Sequence, residues 1–247
     1  MKKQLHMLML VMLCLGLAGT AGQYWLLHTG LDEKGLLVLP HPAVYLCLGI
    51  FLAAAVLVVL QTNTLPSLVN SVNTFSASPL SVVGIAIYAF GLLVSSFSFW
   101  TASTAILFRL CCLSGILAAA VLVYFALRRM QHLPQYNLAI AIVTLHWMLR
   151  LICRYQHWML QAQLPRYLYP LLTHVFMMVG TLYRAIPERK APHLRKYMRF
   201  SLLSLLLCCM AFPKNQDSLL YICTAFYLLT ELYTLHLPKR KRRESGV

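Results

Sequence analysis

Six side chains between residues 146 and 161 carry most of the chemistry that this sequence offers. His146, Arg150, Cys153, Arg154, His157 and Gln161 recur at steps of three and four. At 100° per residue that spacing places them on one narrow face of a helix, with Leu149, Leu151 and Ile152 directed elsewhere. A guanidinium is a planar fork of donors that matches a carboxylate or a phosphate, so the face predicts a pocket for an anion or a lipid phosphate. The alternative is structural: His157 and Arg154 reach outward along their stems, while Arg109 and Arg150 bond carbonyls or hydroxyls of neighbouring helices.

Depth extends this set. At ~1.5 Å per residue from the inner end of its span, Arg150 lies roughly 20 Å up, Arg109 at a similar height, and His174 a little lower, near His146. Arg109, Arg150, Arg154, His146, His157 and His174 are therefore the candidate anion-binding residues. Glu231 is the one carboxylate that falls inside an apolar stretch, with Thr224, Tyr227 and Thr234 on its face. It lies roughly 9 Å from the inner boundary, too far below Arg150 for a direct pair, so Arg184 or His236 is the nearer partner by depth. Such a carboxylate serves either proton or cation coupling or an interhelical contact.

Other chemistry is weakly represented. Asp32, Glu33, His28 and His41 surround one connection, but their spacing matches no metal motif, and neither a metal nor a cofactor is expected. Cys112–Leu113–Ser114–Gly115 lacks the leading glycine of a serine-nucleophile turn, and no HExxH is present. The eight cysteines all lie in apolar runs with no C-x-x-C spacing, which reads as small buried side chains.

The elements that position these residues are apolar stretches long enough to cross a bilayer, which takes ~20 residues. Eight are read, near 7–27, 43–60, 80–99, 104–127, 136–158, 167–186, 197–212 and 218–237, the seventh being the shortest. Hydrophobic residues make up 60% of the 247 and charged residues 11%, against about 25% charged in a soluble domain. No intervening segment is long enough to build a soluble core. The expected fold is all-α: a single polytopic membrane helix bundle over residues 1–247, ending in a basic tail at 238–247.

Charge orients it. With the N-terminus inside and eight crossings, fifteen of the 21 Lys and Arg fall on inner connections and three (Lys34, Arg166, Lys214) on outer ones. This positive-inside bias predicts both termini in the cytoplasm. The net charge of +15 is explained the same way: the cations meet anionic lipid headgroups at the cytoplasmic face, and nucleic acid is not an expected partner. Pro187–Arg199 reads as a basic connector lying on that surface. Gln61–Pro79 carries no charge and reads as a polar loop, with a re-entrant element as the alternative. Lys2 and Lys3 ahead of an apolar run, followed by Ala18–Gly19–Thr20–Ala21, also resemble a signal peptide, although the run continues through Trp25 and Leu27.

The function expected from these features is that of a multi-pass protein of a bacterial plasma membrane. It would act as a non-enzymatic transporter-like, sensory or complex-assembly component, with another membrane protein as partner. Two alternatives stand beside it. One is an enzyme acting on a lipid-linked phosphate, with Arg109, Arg150 and Arg154 as clamp and His146 or His157 as acid–base. The other is a purely structural membrane partner.

Overall fold

A computed structural model describes residues 2–32, 41–63, 78–102, 105–131, 139–159, 164–185, 193–213 and 215–235. These form eight helices: α1 (Lys2–Thr29), α2 (Pro42–Asn63), α3 (Pro79–Ala102), α4 (Ile106–Met130), α5 (Ile140–Met159), α6 (Leu164–Ala185), α7 (His193–Met210) and α8 (Ser218–Thr234). Each overlaps one of the apolar stretches. The shortest helix is α8, with 17 residues, because α7 runs back through its basic start to His193 and reaches 18. The loop at 64–77, residues 186–192 and the basic tail lie outside the described residues.

Four helices are long and apolar enough to cross a membrane: Lys3–Thr29, Pro42–Asn63, Pro79–Ser98 and Ile106–Met130. Large apolar side chains stand exposed around the bundle, among them Leu10, Leu52, Phe90, Phe97 and Leu117. In water so much apolar surface would drive aggregation; a lipid environment removes that penalty.

The packing order places the site. From α3 to α8 each helix packs on the next, and α8 closes on α3. α1 and α2 lie outside this ring of six, against each other and against α7, with α1 also touching α8. Small residues set the closest seams, as expected where van der Waals packing rather than the hydrophobic effect joins helices. A Cβ on Gly84 of α3 would fall 1.8 Å from Thr230 Oγ1 of α8, and one on Gly115 of α4 would fall 1.9 Å from Ser96 Oγ of α3. Ala18–Gly19–Thr20–Ala21, readable as a cleavage site, lies within α1. There Thr20 donates to the Cys209 carbonyl of α7 at 2.8 Å.

Candidate functional site

The polar face of α5 turns into the ring. His146, Arg150 and Trp147 are fully buried, and Arg154 is 5% exposed. What meets the two arginines is Asp217, in the turn between α7 and α8. Arg154 grips this carboxylate with a fork, Nε donating to Oδ2 at 2.9 Å and Nη2 to Oδ1 at 2.7 Å. Arg150 Nη2 donates to the same Oδ1 at 2.6 Å. Two further donors are also engaged: Arg150 Nη1 reaches Ser95 Oγ of α3 at 3.2 Å, and Arg154 Nη1 reaches Gln216 Oε1 at 3.0 Å.

The turn suits its occupant. Asp217 stands at the N-cap position of α8, where the helix dipole favours negative charge. Asn215 Oδ1 accepts its backbone N–H at 3.0 Å and shapes the turn. Burial pushes the Asp217 carboxyl up, but the Arg150 and Arg154 charges outweigh it and hold the group well below the usual carboxylate range. Two charges of one sign thus share one of the other inside the protein.

Two histidines stand alongside. His146 Nδ1 lies 3.0 Å from the Ser114 hydroxyl of α4. His174 Nδ1 of α6 donates to the Pro170 carbonyl one turn earlier in its own helix. The Nε2 atom of each is buried with no protein partner among the described residues. Trp147 lies between α3 and α6: its Nε1 donates to Tyr88 OH at 2.6 Å, and its ring meets His174 edge-on at 5.2 Å. Tyr88 in turn stacks on Tyr227 of α8 at 4.8 Å.

The structure therefore brings together Arg150, Arg154, His146 and His174, and does not bring Arg109 to them. Arg109 is exposed and lies over the Trp100 ring, 5.7 Å from its centroid. Equal height along the helix is not enough, because a helix also rotates, and residue 109 faces outward on α4. The side chain of His157 lies outside the described ones.

Glu231 is held by a cation that its depth in the sequence does not suggest, and His236 lies outside the described residues. Arg129 Nη2, near the C-terminus of α4, lies 2.8 Å from Glu231 Oε1, and Arg129 Nη1 donates to Ser81 Oγ of α3 at 2.8 Å. Arg129 reads in the sequence as an inner-surface cation; it is instead 2% exposed. Of the basic connector, Arg199 begins to serve the fold as well, its Nε donating to Thr62 Oγ1 of α2 at 2.8 Å.

Asp217 and Arg129 are the two residues of these buried ion pairs that sequence reading does not find. For Asp217 the available signal is an acidic residue directly before a helix start, between the two shortest helices. For Arg129 it is only an arginine one turn inside a helix end. No group of three His, Cys, Asp or Glu able to hold a metal occurs among the described residues. The chain matches no protein-family model, no curated protein and no solved structure.

Proposed function

We propose that this chain is a polytopic protein of a bacterial plasma membrane, crossing it eight times with both termini in the cytoplasm. It works without catalysis, as a transporter-like, sensory or complex-assembly component. Its working part is the latch formed by Arg150, Arg154 and Asp217. The carrying observation is that two buried guanidinium groups hold one carboxylate, itself mounted on a turn rather than within a helix.

An incoming carboxylate or phosphate offers the arginines the acceptor geometry that Asp217 provides. Exchange of one anion for the other leaves the arginines with a counter-ion, and it frees the start of α8 from α5. The fifteen-to-three charge distribution supports the eight crossings and the inner termini. So does the pairing of the charges within α4, α5 and α8, which is the usual way ionisable groups are accommodated in lipid. A lipid-linked phosphate substrate would fit the same two arginines. His146, however, leans on Ser114 rather than on a carboxylate, which disfavours it as the activated base of that reaction.

One observation favours the structural reading. Arg129 and Glu231 use the same chemistry between α4 and α8 as a plain staple. Thermal unfolding in detergent, with inorganic phosphate titrated at constant ionic strength, separates the two. The latch predicts stabilisation by phosphate that is lost in Arg154→Leu and grows several-fold stronger in Asp217→Asn, whose amide no longer competes as an anion. No phosphate response in any of the three proteins makes the arginines structural. For the topology, a reporter fused after Val247 is expected to be active only in the cytoplasm.

A further inference from the structure

Three thiols gather beside the latch. Cys111 and Cys112 of α4 and Cys153 of α5 form a small buried cluster of their own, flanked by Leu107 and Phe108. Cys111 and Cys153 are both fully buried and interact with each other through their side chains across the two helices. Cys153 Sγ also donates to the Leu107 carbonyl at 3.5 Å. Leu107 lies one helical turn before Cys111, so this bond holds the Cys153 side chain against the strip of α4 that carries Cys111. On α5, Cys153 sits between Arg150 and Arg154, the two arginines of the latch.

We infer that Cys111 and Cys153 are a redox pair that closes to a disulfide between α4 and α5. Two S–H bonds break and one S–S bond forms. Two electrons and two protons pass to a membrane-soluble quinone, which leaves as the hydroquinone. A quinone suits the place, since the thiols lie among apolar side chains and the neighbouring Leu110 and Leu113 are exposed on the bundle surface. The two thiols already meet across α4 and α5, and closing the link brings their sulfurs to the ~2.05 Å S–S bond length. The link would tie α5 to α4 within one turn of both arginines, fixing the height and rotation of the face that grips Asp217. This inference stands on the thiols and does not rest on anion binding at the latch.

The test uses the full chain in detergent, treated with duroquinone, alkylated and analysed by mass spectrometry. All eight cysteines start free in the structure. The expected result is a loss of two alkylation sites and a linked peptide pair containing Cys111 and Cys153, both reversed by a dithiol reductant. Cys111→Ser and Cys153→Ser each abolish the link, and Cys112→Ser keeps it. Should a serine variant fail to fold, the peptide map of the unsubstituted protein decides alone. Full alkylation after duroquinone, or a link that runs through Cys112, overturns the inference.

Discussion

Helix α8 carries an ionised contact at each end, and the two are built differently. At its start, Asp217 uses both oxygens and faces two arginines of α5. Near its finish, ~21 Å further at ~1.5 Å per residue, Glu231 uses Oε1 alone on Arg129, while Oε2 has no protein partner among the described residues. The helix dipole sharpens the contrast. Asp217 sits at a helix N-terminus, where an anion is favoured, and Arg129 near a C-terminus, where a cation is; Glu231, near the C-terminal end of α8, is disfavoured by its own helix. The Asp217 contact is therefore the more saturated of the two, yet it contains one more positive charge than negative. The Glu231 contact is balanced in charge but under-bonded.

Removing the Asp217 carboxylate is the harshest way to break this comparison. Asp217→Leu strands two buried cations, where stranding one typically costs about 3–5 kcal/mol. The expected outcome is loss of monodisperse protein on size exclusion. Glu231→Gln is milder, about 1–3 kcal/mol, because the amide oxygen still accepts from Arg129; detergent melting curves should place it between the unsubstituted protein and Asp217→Leu. Equal losses would mean that the two contacts are equivalent after all. Gly84→Ala belongs in the same range, roughly 1–3 kcal/mol, since the new methyl must push α3 away from Thr230 next to Glu231.

Smaller effects sharpen the distinction. The pair substitution Arg129→Met with Glu231→Leu should recover the stability lost in Glu231→Gln to within about 1 kcal/mol of the starting protein, as for a contact that acts only as a staple. The smallest effect is that of pH. A carboxyl held below its unfolded value of about 3.9 contributes stability that is complete above that value and disappears as pH falls through the folded value. The Asp217 contribution should thus stay constant between about pH 8 and 5 and begin to fall only below about pH 4. Asp217→Asn should flatten that acid limb in a melting-temperature series.

Much of the architecture is legible in the amino-acid order, because apolar length and a helical repeat are local properties. Eight helices fall where eight apolar stretches stand, with ends shifted by a few residues. Lys2–His6 and His193–Lys196, for example, are polar enough to read as flanks but continue their helices. The buried face of α5 is legible for the same reason, since a spacing of three and four needs no knowledge of the neighbours. Rotation about the helix axis is not local, which is why Arg109 reads as a member of the site and instead lies over Trp100. Asp217 is silent in the sequence because its role depends on a turn folding back against the middle of α5. Arg129 is silent because a cation one turn from a helix end looks the same whether it meets headgroups or a carboxylate.

The position of α1 and α2 outside the ring has a consequence for biogenesis. On the proposed topology they enter the bilayer before α7, the surface on which they dock, has left the ribosome. They must persist as a hairpin in lipid through most of translation, and α2, with a mean hydropathy of 2.8, is the most apolar of the four candidate spans. Arg150 faces the opposite problem: its counter-ion arrives 67 residues later. On that topology, until Asp217 emerges, α5 needs a chaperoning surface, whether the insertion machinery or water at the membrane edge, to shelter a charge that its own helix cannot satisfy.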